Sequence, residues 1–119
     1  MNVRTNKLNS EFKRLIAEIL TKKVKDPRIT EMFTVLDVEC DRELSAAKVY
    51  VSIYSTDTVK ATQTFLAIKD NESFVRREIS KNMHIRKVPE FNFVLDTSMA
   101  YGQKINEMLY ELNKKDDDN

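Results

Sequence analysis

Five side chains able to grip an anion stand close together in the chain: Arg76, Arg77, Lys81, Arg86 and Lys87. Glu78 is the only acid among residues 73–88. Cations at that density are the residue types that neutralise a polyanion. A second constellation is acidic: Asp37, Glu39 and Asp41 alternate and so share one strand face. Paired carboxylates can do acid–base work or hold a divalent ion, yet the same alternation is the ordinary signature of a solvent-facing strand, which is how we read it. His84 is the sole histidine and Cys40 the sole cysteine. A two-histidine metal site, a cysteine zinc site and an internal disulfide are therefore excluded. His84 falls on the basic stripe, and Cys40 reads as a small apolar core residue. With Gly102 the only glycine, no P-loop, dinucleotide fingerprint or nucleophile elbow can be written. No enzyme, cofactor, metal or small-molecule substrate is expected.

The elements that must position the cations follow from periodicity. Val75, Ile79 and Met83 recur at helical spacing, with Phe74, Arg77, Lys81 and His84 on a neighbouring stripe. The segment turns through residues 85–89 into a strand in which Phe91, Phe93 and Leu95 alternate. A basic helix thus runs through a basic turn into an apolar strand. Upstream, Leu8, Phe12, Leu15, Ile16, Ile19 and Leu20 mark an amphipathic helix that Asp26-Pro27 stops near Lys25. Residues 33–41 and 47–54 alternate on either side of a loop at 41–45, which predicts an antiparallel hairpin. Leu36, Val38 and Cys40 are expected to face inward from its first strand, and Ala47, Val49, Val51 and Ile53 from its second. Residues 58–69 read as a helix through Ala61, Phe65 and Ile68. Asn71-Glu72-Ser73 interrupts it, Asn71 tolerating a left-handed backbone and Ser73 capping the next helix. Thr97 or Ser98 is placed to cap a last helix carrying Tyr101, Ile105, Met108, Leu109 and Leu112.

The order is α-β-β-α-α-β-α, an α+β domain with helices packed on a three-stranded sheet. We expect one domain over residues 1–113 and a short disordered acidic tail at 114–119. No apolar run approaches a membrane span, and the N-terminus has no apolar core typical of a secretion signal, so the cytoplasm is the expected compartment. The net charge of +1 conceals segregation: residues 1–28 carry +5, residues 29–57 carry −4 and residues 73–88 carry +4. Two basic blocks around an acidic one suggest a polyanion-facing side and a repelled side.

Four segments then resemble the ribosome-binding factor A family. They are Arg4-Thr5-Asn6-Lys7 with Lys25-Asp26-Pro27-Arg28-Ile29, then residues 44–52 (Leu44-Ser45-Ala46-Ala47-Lys48-Val49-Tyr50-Val51-Ser52), Phe74-Val75-Arg76, and residues 85–93 (Ile85-Arg86-Lys87-Val88-Pro89-Glu90-Phe91-Asn92-Phe93) with Asp96. The likeness runs from about Arg4 to Leu112. It implies a KH-like fold (type II, α-β-β-α-α-β) with an added C-terminal helix. It also implies a non-catalytic, monomeric factor that binds the free 30S subunit and its 16S rRNA. Such a factor assists late small-subunit maturation, including 5′-end processing, and supports growth in the cold. Where the family has an Ala-x-Gly kink between two helices, this chain has Asn71-Glu72-Ser73, and Glu72 is expected to repel an approaching phosphate. The RNA contacts are therefore expected from Arg76, Arg77, Lys81, Arg86 and Lys87, with Arg4, Lys7 and Lys25 as a second group. Tyr50 and Tyr54 are read as packing or surface residues, and Arg28 equally as an ion-pair partner of Asp26 or an RNA contact. Two alternatives stay open: a general single-stranded-RNA-binding KH-like module, and a protein–protein adaptor whose acidic hairpin meets a basic partner.

Overall fold

The computed structural model describes the backbone of residues 3–117 and the side chains of residues 7–114. Helix α1 (Val3–Glu18) runs into a π-helical turn, Ile19–Lys23, closed by Val24 N–H donating to the Ile19 carbonyl at 3.0 Å. Strands β1 (Met32–Cys40) and β2 (Ala46–Tyr54) form the hairpin; helices α2 (Thr58–Asp70) and α3 (Glu72–Asn82) follow, then β3 (Glu90–Leu95) and α4 (Ala100–Asp117). The sheet order is β1-β2-β3, with β1 antiparallel and β3 parallel to the central β2. A parallel pair needs a crossover, and the α2–α3 unit supplies it.

The apolar periodicities become one core. Phe12, Ile16, Ile19 and Leu20 of the first helix are buried, and the Phe12 ring meets Phe91 edge-on at 5.3 Å. From β2 the core receives Ala47, Val49, Val51 and Ile53, and from β3 Phe91, Phe93 and Leu95. Val75 and Ile79 seat α3 on that layer. Each such large apolar side chain contributes roughly 1.5–3 kcal/mol relative to exposure, so α3 and its cations are carried on a firm base.

Five expectations need correction. In β1 the ladder slips between Val35 and Asp37, opposite Val51 and Tyr50, so Leu36 is the extra residue of a bulge. Val35 and Val38 are buried on either side of it while Leu36 is 38% exposed; a bulge shifts the alternation by one residue, which period-two reading cannot anticipate. Asn71 keeps φ −97°, not a left-handed value, because its side chain makes the junction instead. Its amide donates to the Ala67 carbonyl at 2.7 Å and to Asp26 at 3.3 Å. Ser73 lies inside α3, whose cap position is Asn71. Ser98 does not cap α4; its hydroxyl donates to the Asp96 carboxylate at 2.9 Å and the helix begins at Ala100. That helix also continues to Asp117, into the stretch expected as tail.

Gly102 has a packing role. It is buried where the first turn of α4 crosses the chain leaving β3, and a Cβ there would collide with the Asp96 carbonyl oxygen and sit 3.3 Å from Thr97 Cα.

Candidate nucleic-acid interface

The basic residues are presented by α3 and by the segment joining it to β3. Arg76, Arg77 and Lys81 rise from α3, and with Arg86, Lys87 and Val88 they line an open groove of about 680 Å³. Beside it a second groove of about 750 Å³ is lined by Lys7 and Leu8 of α1, Leu44 of the hairpin loop, and His84 to Lys87. Ile85, Arg86 and Lys87 border both. The two grooves are one continuous surface.

The structure thus brings together Lys7, Arg76, Arg77, Lys81, Arg86 and Lys87. It does not bring in Lys25, which lines neither groove and precedes Asp26 at the opposite, N-terminal end of α3, where Asp26 meets Asn71. The side chain of Arg4 lies outside the described residues.

These cations are not equivalent. The Arg76 guanidinium donates through Nε and Nη2 to the Val88 carbonyl, at 3.3 and 2.9 Å, and lies 3.9 Å from Glu90. It ties α3 to the turn before β3. Lys81 pairs with Glu78 at 3.4 Å, and Lys23 reaches the same carboxylate at 3.7 Å. Lys87 Nζ donates to the Ser45 hydroxyl at 3.2 Å and so holds the hairpin loop against the turn. Among the described residues, Lys7, Arg77, Arg86 and Lys87 have no carboxylate within 4.0 Å. Their charge is free to meet an incoming anion.

The helix junction is built differently from the expectation. Glu72 points inward, its carboxylate accepting the Phe93 N–H at 2.7 Å and lying 3.6 Å from Lys69. It is therefore not aimed at an approaching phosphate. Arg28 is an ion-pair residue here: it donates to Asp26 at 2.7 Å and to Asp70 at 3.0 Å, tying the segment after α1 to the end of α2. Those bonds hold the Asp26 carboxyl at about 2, well below its ordinary value.

On the acidic face each carboxylate has a local partner. Asp37 accepts the Val38 N–H at 2.9 Å, Glu39 the Tyr50 hydroxyl at 3.0 Å, and Asp41 the Ser45 and Ala46 N–H groups at 2.8 and 3.2 Å. The bond to Glu39 raises the Tyr50 pKa. The Tyr54 and Tyr101 rings meet tilted at 60°, centroids 5.9 Å apart. Cys40 is half-buried, and burial, aided by Asp41, pushes its thiol to about 11, far from a reactive thiolate. Sequence reasoning missed the apolar residues of the second groove, Leu8, Leu44 and Ile85. Their signal was available, since Leu44 and Ile85 are isolated apolar residues amid charged loops.

A family profile described as Ribosome-binding factor A matches residues 4–109. A ribosome-binding factor A of Caldanaerobacter subterraneus is 41% identical over 99% of this chain and 96% of its own length. One from Clostridium botulinum is 39% identical, over 96% and 98%. Among solved structures, a Thermotoga maritima protein superposes with a TM-score of 0.68 at 29% identity, covering 84% of this chain and 95% of that one. Ribosome-binding factor A of Thermus thermophilus gives 0.66 at 21% identity over 80% and 98%. A homology model of the Thermus factor, fitted into the cryo-EM map of its complex with the 30S subunit, gives 0.58 at 22% identity over 76% and 94%. The fold is the KH-like α+β fold of these structures, here with four helices on a three-stranded sheet. By profile and by near-full-length identity, the chain belongs to the ribosome-binding factor A family.

Proposed function

We propose that this chain is a non-catalytic assembly factor that docks on the free 30S subunit through the surface formed by α3, residues 83–89 and the start of α1. Lys7, Arg77, Arg86 and Lys87 meet phosphates of 16S rRNA, while Arg76 and Lys81 shape and support the surface. Working as a monomer in the bacterial cytoplasm, the factor assists late small-subunit maturation, with 16S 5′-end processing and growth in the cold depending on it. One observation carries this reading: Lys7, from the first helix, lines the same groove as Arg86 and Lys87, which lie far along the chain. The kinship with a Thermus factor described in a 30S complex supports the choice of partner. An electrostatic grip of this kind releases counterions, so log affinity falls with log salt by roughly 0.7–0.9 per phosphate contact. Sucrose-gradient sedimentation of the tagged protein is the test. Comigration with free 30S particles at low salt and release at high salt is expected; migration with 70S ribosomes, or alone at the top in low salt, contradicts the proposal.

A further inference from the structure

We propose that the basic surface holds a pocket for one unpaired nucleobase, floored by Leu8, Leu44 and Ile85 and rimmed by Lys7, Arg86 and Lys87. The inference rests on the RNA-docking reading above and names what that surface selects. All three floor residues are half-buried and line a single groove with the three cations. A phosphate backbone needs only the rim. An apolar floor inside a cationic rim instead matches the two parts of an unstacked nucleotide: the π-face of the base below, and the flanking phosphates on the lysines and arginine. His84, exposed at the same groove, adds a ring able to stack on the base.

The hairpin loop is built to put a leucine there. Among the described residues Leu44 is the only non-glycine with positive φ, at 56°. Glycine or asparagine would occupy that left-handed position with less strain. The loop is over-determined around it. The Asp41 carbonyl accepts the Leu44 N–H at 3.3 Å, and the Asp41 carboxylate takes the next two amides. Ser45 is then held by β3 and by the turn before it, its carbonyl accepting the Glu90 N–H at 3.0 Å and its hydroxyl accepting from Lys87. A left-handed leucine held in such a frame is uncommon, and backbone outliers of this kind cluster at functional sites. The bonds also engage the Asp41 carboxylate, and among the described residues no acid lines the groove to repel an RNA strand.

Duplex RNA buries its base faces in stacking, whereas a bulged base offers one. Two RNA hairpins that differ only by a single bulged 2-aminopurine therefore make the test, titrated against the wild type and Leu44→Gly. Glycine is relaxed at this φ, so the variant keeps the loop and loses only the floor; an unchanged thermal midpoint checks the fold. The wild type is expected to bind the bulged hairpin about tenfold more tightly than the paired one. Leu44→Gly is expected to bind both with the wild type's affinity for the paired hairpin. Equal wild-type affinities, or a preference retained in Leu44→Gly, overturn the base pocket while salt-sensitive binding of both hairpins leaves the docking reading standing. Failure of the wild type to bind either hairpin at low salt overturns both.

Discussion

Glu72 accepts the backbone N–H of Phe93 at 2.7 Å, and Lys69, 3.6 Å from the same carboxylate, donates to the Phe93 carbonyl at 3.3 Å. Phe93 lies on β3, an edge of the three-stranded sheet, where strand donors and acceptors have no further strand to pair with. Two side chains at the α2–α3 junction thus take up the Phe93 donor and acceptor that a fourth strand would otherwise meet. They also fix the start of α3 against the sheet, which sets where its cations point. Replacing Glu72 by alanine strands a part-buried donor and is expected to lower stability by about 1–3 kcal/mol, with Glu72→Gln losing less because its amide oxygen still accepts. Urea denaturation of the two variants checks this; equal losses would show that the charge alone matters.

Arg76 and Arg77 are adjacent yet do different things. Arg76 holds the Val88 carbonyl through two donors, whereas Arg77 has no carboxylate partner among the described residues. Lysine cannot reproduce the forked donation, so Arg76→Lys is expected to lose about 1 kcal/mol of stability and Arg77→Lys almost none. Arg77→Ala is expected instead to flatten the log–log salt slope of RNA binding by roughly 0.7–0.9, one phosphate contact. Denaturation curves and salt titrations of the same proteins separate the two roles. A stability loss in Arg77→Lys as large as that in Arg76→Lys would erase the distinction.

Acid should attack the Asp26–Arg28–Asp70 cluster. The Asp26 carboxyl titrates at about 2 in the folded chain against an ordinary value of 3.8, chiefly because Arg28 donates to it. A depressed carboxyl favours the folded state wherever it is ionised in both states, and that contribution disappears as the pH falls through the folded value. Asp26→Asn is therefore expected to be less stable than the wild type above about pH 4 and to lose less on acidification between about pH 4 and pH 2. Thermal midpoints across that range decide it. Parallel curves for the two proteins would count against the pairing.

Much of this architecture was legible in the residues. The buried face of β2, the Val75–Ile79 seat of α3 and the alternation of Phe91, Phe93 and Leu95 lie where their periodicity placed them. Those signals survive because one side of each element meets the core along its whole length. Other features were hidden because they depend on partners distant in sequence. No local pattern announces that Leu36 bulges out of β1, that Glu72 turns inward to Phe93, or that Arg76 is engaged by Val88. Charge density marked a basic segment that the fold gathers along two adjoining grooves, but density cannot distinguish a cation held by a carbonyl from one facing solvent. Lys25 shows the same limit: it belongs to a basic block in the sequence and lies away from the grooves in space.

The proposed docking rests on unpaired cations from α1, α3 and residues 83–89 acting as one surface. Its most direct test is cosedimentation of the Arg77→Glu/Arg86→Glu double variant with purified 30S subunits, read beside its thermal midpoint. Both side chains are exposed and lack carboxylate partners among the described residues, so the midpoint should stay within about 3 °C of the wild type. Association should vanish at a salt concentration where the wild type still cosediments. A folded double variant that travels with the 30S peak as the wild type does would contradict the account.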